Sequence, residues 1–339
     1  MNHLPVRVRN PDPRTGRRVR LAETRPGQRL NRGQCSAGSE KRAIRGSLGG
    51  VVVFALTWNI DGGLPARTEL YRFLNTRRGE GVVAVQEWVP YSQAMPAFAV
   101  IDAEVSARTN NRFRLVTVAL GKGRSVLLAS ESIKWVNEVE SKRLVSATFA
   151  SAAEGWRGLR IIGVHARSKL WGAAERHNRD LHMAKLIRDL SGHWAQTGGP
   201  ALMLGDFNAE PFAEEIAGRG RLGACRERLE VVEHGFRGIG TPALYNPTWA
   251  LLGDSDNALV PAGTYYYKDE GRGVQWQCID QLMVSREIAV AWKTSWNPRM
   301  LPRLSRHHVL ADGRPVTPLS DHVPLFAELA INQVKECQI

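Results

Sequence analysis

The segment GDFNAEP at 205–211 sets Asp206 and Asn208 two residues apart in a turn bounded by Gly205 and Pro211. It directly follows the apolar run ALML. Five further segments place polar chemistry at the ends of apolar runs. TWNID at 57–61 carries Asn59 and Asp61, and QEW at 86–88 carries Glu87 behind VVAV. IIGVHARS ends an apolar run on His165, with Arg167 just beyond. CIDQLMVS sets Asp280 inside an apolar stretch, where a bare carboxylate is costly without a partner. SDHVPL holds the adjacent pair Asp321–His322. Carboxylates together with imidazoles suit hydrolysis at a phosphoester. The carboxylates offer hard oxygen ligands to a cation such as Mg²⁺, and the imidazoles move protons near neutral pH.

These residues need a scaffold that brings strand ends together. Strands are expected at Val51–Trp58, Gly81–Val85, Arg114–Ala119, Ser125–Ala129, Arg143–Ala150, Leu159–His165, Ala201–Leu204, Gln277–Val284 and Leu325–Leu329, from β-branched apolar runs bounded by turn residues. In a strand, alternate side chains share a face, so Asn59 and Asp61 can address one site. Helical spacing marks Thr68–Thr76 and a longer segment from Ala173 to Trp194 whose stripe includes Leu181, and Ala213–Ile216 opens a further short helix. Stretches 90–112, 236–275 and 297–318 carry no readable signature. Many short strands with helices between them suggest packed sheets covered by helices.

Taken together and in this order, the six segments resemble the endonuclease/exonuclease/phosphatase superfamily, with its DNase I-like fold. The resemblance spans roughly residues 50–330. It implies a four-layer α/β sandwich of two mostly antiparallel sheets flanked by helices, with the site at one sheet edge. It implies Glu87 as the main Mg²⁺ ligand (Mn²⁺ substituting), with Asp61 and Asp321 contributing. Asp280 would orient His322, a candidate base. His165 would act as general acid or stabilise charge on the phosphoryl oxygens. Asp206 and Asn208 would position the nucleophile or the phosphate, with Asn59 as a neutral donor. Whether Asp206 or His322 takes the proton stays open. A histidine at 165 places the chain nearer the two-histidine branch, which includes DNase I and neutral sphingomyelinases. One departure is the stretch GRSVLLASES, which lacks the Ser-Arg of many relatives. The acidic partner of His165 is therefore open, with Glu131 a weak candidate.

Singly, each of these residues has an ordinary explanation: Asp206 as a turn former, Asp321 as a cap, His165 as a satisfied core histidine. Jointly the six are harder to dismiss. GRGRLG at 218–223 has no strand before it and reads as a loop, and His307–His308 reads as a solvated pair. Tyr265–Tyr267 with Trp276 can stack bases or pack on a sugar, although half-buried packing is the commoner use of strand aromatics. Arg167 can clamp a phosphate or form a surface ion pair.

The net charge is +13, but residues 1–46 hold twelve Arg or Lys against Asp12, Glu23 and Glu40, and so carry +9 of it. That segment, rich in Arg, Pro and Gly, reads as a disordered basic extension. A catalytic domain is expected over 47–332 and a short tail over 333–339. Four cysteines (Cys35, Cys225, Cys278, Cys337) lie too far apart for a zinc or disulfide pattern. With no transmembrane run and no apolar leader, a cytoplasmic monomer is expected. The function expected is Mg²⁺-dependent phosphoester hydrolysis, first as a nuclease on DNA or RNA. The alternatives are a phosphatase or phosphodiesterase for inositol phosphates, sphingomyelin or another small phosphoester, and a non-catalytic nucleic-acid-binding module.

Overall fold

The computed structural model describes residues 52–330, apart from 90–92, 95, 120–123, 141–143, 150–157, 167, 169–180, 182–183, 186–187, 189–199, 219–220, 235–243, 254–260, 269–274, 305–306, 312–313 and 317–318. The basic segment 1–46, the tail 333–339 and Arg167 lie outside the described residues.

Two sheets form the centre. One contains β1 (Val52–Asn59), β2 (Glu80–Gln86), β3 (Phe113–Val118), β4 (Val126–Ser130), β14 (Arg299–Met300) and β19 (Leu325–Ala330), in the order β14-β19-β1-β2-β4-β3. The other contains β5 (Trp135–Glu140), β6 (Leu144–Phe149), β7 (Arg160–His165), β8 (Ala201–Asp206), β9 (Ala224–Cys225), β10 (Leu244–Tyr245) and β13 (Asp280–Val284), in the order β5-β6-β7-β8-β13-β10-β9. Pairing is antiparallel except for β1·β2, β7·β8 and β9·β10. A hairpin of β11 (Tyr265–Tyr266) and β12 (Trp276–Gln277) stands apart. So do β15 (Arg303–Leu304) with β16 (His307–His308), and β17 (Leu310–Ala311) with β18 (Arg314–Pro315).

Period-two alternation sorts the apolar residues into layers. Val53, Ala55, Val82 and Ala84 of one sheet meet Ile161, Leu202, Leu204, Leu282 and Val284 of the other in a shared core. On the outer face of the first sheet, Phe54, Leu56, Val83 and Val85 pack under α1 (Leu64–Thr76) and α2 (Phe98–Arg108), which contribute Leu70, Phe73, Leu74, Ile101 and Val105. The outer face of the second sheet buries Ile162, Val164, Met203 and Met283 with Ile216 of the short helix Glu214–Ala217. Helices outside two packed sheets make the four-layer α/β sandwich.

Three differences from the sequence reading have local causes. Helix α1 starts at Leu64 rather than Thr68, because Pro65 lacks an N–H that the first turn would leave unbonded anyway. Helix α2 buries only Ile101 and Val105 and leaves Phe98 and Val100 exposed, so its sequence carries no apolar stripe. The strand expected over Gln277–Val284 is broken at Cys278–Ile279. There the Cys278 N–H turns to the Glu210 carboxylate (3.1 Å), and the Ile279 carbonyl accepts from the Phe207 N–H (2.9 Å). The helix expected over Ala173–Trp194 falls almost wholly outside the described residues, and Leu181 is exposed. His307–His308 lie in a strand rather than a loop.

Candidate active site

The same alternation that builds the shared core continues to the strand ends. Residues 53, 55 and 57 point between the sheets, and so does Asn59. Gln86 continues 82 and 84, His165 continues 161 and 163, Asp206 continues 202 and 204, and Asp280 precedes 282 and 284. Register then sets these residues side by side. Asn59 lies opposite Gln86, His165 opposite Asp206, and Asp206 opposite Asp280. Because β19 runs antiparallel to β1 and Leu325 pairs with Thr57, the residues just before β19 arrive at the same edge. Five strand ends and the 320–323 turn therefore converge where the two parallel pairs finish.

Two glycines permit this closeness. A Cβ on Gly163 would lie 2.6 Å from Val145 Cγ2 and 3.1 Å from Ala84 Cβ, so the sheets touch directly beneath His165. Gly205 has φ +149°, and a Cβ there would stand 2.0 Å from the Val164 carbonyl oxygen. The turn that delivers Asp206 is thus closed to any larger residue.

The two facing strand ends finish in matching turns. The Asp61 N–H donates to Asn59 Oδ1 (3.2 Å), and the Asn208 N–H donates to Asp206 Oδ1 (2.8 Å). Asp61 and Asn208 both have φ +48°, a left-handed conformation that Asp and Asn tolerate through such local bonds. Glu87 has φ +52° without that help. The Gly62 N–H donates to its carbonyl (2.7 Å), tying the Glu87 turn to the Asp61 turn.

A hydrogen-bonded network joins the sheets. Asn59 Nδ2 donates to Glu87 Oε1 (3.3 Å) and to Asp206 Oδ2 (3.2 Å). Asn208 Nδ2 donates to Asp206 Oδ2 (3.1 Å) and to the Ala166 carbonyl (3.0 Å). His165 Nε2 lies 3.4 Å from Glu87 Oε1 and 3.8 Å from Asp206 Oδ2. Among the described residues Glu87 and Asp206 are its acidic neighbours, while Glu131 faces Arg114 at 3.6 Å. Facing this network, His322 Nδ1 lies 2.8 Å from Asp280 Oδ2, both groups buried. The Asp280 N–H donates to Thr264 Oγ1 (2.9 Å), and Asp280 Oδ1 is buried without a partner.

Charge in the cleft is perturbed in a consistent direction. Burial pushes the Asp206 carboxyl up to about 6, with Asp280 adding and both histidines opposing. Burial alone would lower His322, but the Asp280 carboxylate, helped by Asp206 and Asp321, raises it to about 10. Asp61 is raised by burial and then by the like charges of Glu87 and Asp321. Three carboxylates thus share one mouth, with the exposed Lys268 as a weak counterweight. Among the described residues, no three His, Cys, Asp or Glu side chains are closed into a ready coordination shell.

The structure therefore gathers Asn59, Asp61, Glu87, His165, Asp206, Asn208, Asp280, Asp321 and His322 at one edge. Further residues, Ser320 of the SDHVPL segment among them, brace the site. Ser320 Oγ donates to the Asn59 carbonyl (2.6 Å) and accepts from the His322 N–H (2.9 Å), locking the last turn to β1. Trp58 Nε1 donates to the His322 carbonyl (3.0 Å). Buried Gln281 donates to the Ala209 carbonyl and accepts from Asn246 (2.7 Å), which fixes the far side of the 205–211 turn. Cys225 and Cys278 are free thiols raised by burial, consistent with an idle role.

The chain matches no protein-family model and no curated protein sequence. Solved structures do resemble it. A 3'-5' exonuclease (NExo) from Neisseria meningitidis superposes with a TM-score of 0.51 at 17% identity, covering 81% of this chain and 99% of that one. TDP2 from Caenorhabditis elegans superposes with a TM-score of 0.50 at 13% identity, covering 82% and 75%. At these identities the likeness establishes the fold, which this chain shares with both.

Proposed function

We propose that the chain is a Mg²⁺-dependent phosphoester hydrolase of the endonuclease/exonuclease/phosphatase type, acting as a nuclease on DNA or RNA. The observation that carries this reading is the pairing of two half-sites across the sheets. The buried Asp280–His322 couple faces the Glu87–Asn59–Asp206–His165 network. The Neisseria protein of the same fold is named as an exonuclease, which adds support.

The donor set suits a hard cation. Glu87, Asp61 and Asp321 are the residues that would hold Mg²⁺, or Mn²⁺ in its place. Like charges gathered at one mouth favour a cation between them, and Mg²⁺ is commonly held by one or two carboxylates plus waters and substrate phosphate. When bound, the ion neutralises phosphoryl oxygens and leaves the phosphorus open to attack.

The protein's own residues divide the remaining work. The Asp280 carboxylate beside His322 favours its protonated form, so we assign Asp206 as the proton acceptor. Its raised value keeps it ionised near neutrality yet more basic than an ordinary carboxylate. In this assignment Asp206, oriented by Asn208 and Asn59, takes the proton of the attacking water. The new P–O bond forms as the ester P–O bond breaks. His322, held by Asp280, faces the phosphate as a fixed cation. His165 gives its proton to the leaving oxygen, as in the two-histidine branch. Arg167, outside the described residues, is kept as a candidate phosphate clamp.

The test is Mg²⁺-dependent cleavage of supercoiled plasmid, single-stranded DNA and RNA by wild type, His165→Ala and Asp321→Ala. Activity lost with EDTA and in both variants is the expected result. Inert wild type on all three nucleic acids, with turnover of inositol phosphates or sphingomyelin, would move the same site to a small-phosphoester function. Binding that disappears when 1–46 is deleted, with no turnover, would favour a binding module.

A further inference from the structure

The hairpin of β11 and β12 is tied to both catalytic segments. Tyr265 pairs with His322 as an isolated bridge, and the Tyr266 N–H donates to the Asp321 carbonyl (2.9 Å). The Val323 N–H donates to the Thr264 carbonyl (2.7 Å), while Thr264 Oγ1 accepts from the Asp280 N–H (2.9 Å). Alternation gives the hairpin two sides. Tyr266 is buried against Trp276 at 5.1 Å, with Arg314 5.9 Å from the Tyr266 ring centroid. Tyr265 and Tyr267 occupy the other side. Their ring centroids are 6.2 Å apart at 67°, and the Tyr265 ring lies 4.7 Å from the His322 imidazole. Both rings are half-buried, and the next residue, Lys268, is exposed and close enough to Asp61 to favour its ionised form.

We infer that this Tyr265–Tyr267 corner, with Lys268 at its end, receives the unstacked base of a nucleotide flanking the scissile phosphate, and so selects single-stranded or frayed nucleic acid. The inference rests on the nuclease reading. A flat π-surface beside a phosphoryl site fits a nucleobase, which stacks on tyrosine whatever its sequence. Lys268 fits the neighbouring backbone phosphate. An inositol phosphate offers no π-face and would call for a wall of cations. A choline headgroup suits an aromatic cage, but here it would meet the Lys268 ammonium. Bases within a duplex are stacked on one another and cannot enter such a corner.

The experiment uses a labelled oligonucleotide with one cleavable phosphodiester and methylphosphonate linkages elsewhere. It is compared with versions in which the nucleotide on either side of that linkage is a base-less tetrahydrofuran. Wild type is expected to prefer the base-bearing strand in kcat/KM by roughly 5- to 150-fold, the range of one base–aromatic stack. Tyr267→Ala should abolish that preference, and Tyr267→Trp should preserve it. Equal wild-type rates with and without the base would overturn the inference, a comparison that needs no variant to fold. A preference for duplex, or one that survives Tyr267→Ala, would overturn it as well. These outcomes leave the nuclease reading standing. That reading falls only if wild type cleaves no nucleic acid.

Discussion

Replacing Asp280 by Asn removes the charge that holds His322 while keeping the side chain's shape. The Asn oxygen can still accept the Nδ1–H, now without a negative charge 2.8 Å away. Raising His322 from 6.5 to about 10 corresponds to about 5 kcal/mol at 1.36 kcal/mol per pKa unit. Burial opposes the rise, and Asp280 is the largest of the three carboxylates that produce it. Giving Asp280 about half of the total yields about 2–3 kcal/mol, in the range expected of a buried hydrogen bond to a charged group. The imidazolium should therefore lose its proton about two pH units lower in Asp280→Asn. The upper limb of the kcat/KM profile on an oligonucleotide should move down with it, and NMR titration of His322 should report the same displacement. The folded value lies above the unfolded one, so this stabilisation is complete below pH 6.5 and lost as pH rises through about 10. Urea unfolding should show the variant weaker by about 2–3 kcal/mol at pH 6, with the gap closing above pH 10. An upper limb that does not move, together with a pH-independent stability gap, would refute the argument.

Asp206→Asn should lower kcat by about 10²–10⁴-fold and erase the lower limb of the profile, expected near pH 6 in wild type; pre-steady-state cleavage from pH 5 to 8 measures both. Gly205→Ala should destabilise by more than about 2 kcal/mol in urea unfolding, because its Cβ cannot avoid the Val164 carbonyl. Mg²⁺ at about 100 times its dissociation constant should stabilise the fold by about 2.7 kcal/mol, and Glu87→Gln should remove most of that gain in a thermal-shift titration. A Glu87→Gln protein that gains as much as wild type would displace Glu87 from the metal site.

The apolar runs by themselves determined the central strands, but these strands are buried on both faces, so only packing decided that Val53, Ala55, Leu202 and Leu204 face the shared core while Phe54, Leu56 and Met203 face outward. The polar residues ending those runs marked the candidate site, because a carboxylate or imidazole at the end of a buried strand is costly without a partner. Short-range pattern reached no further than that. It missed α2, whose Phe98 and Val100 face outward, and β5, whose sequence WVNEVE breaks period-two alternation where its pairing register shifts between Val136 and Val139. Only the tertiary structure decided which residues meet. Asn59 and Asp206 are far apart in the chain, yet they share a hydrogen bond because two sheets pack with Gly163 between them. The partner of His165 likewise could not be read locally: Glu87 reaches it across the cleft, while Glu131 turns to Arg114. The proton affinities of Asp206 and His322 belong to the fold as well. They arise from burial and from charges delivered by other strands, and residue type alone contains neither.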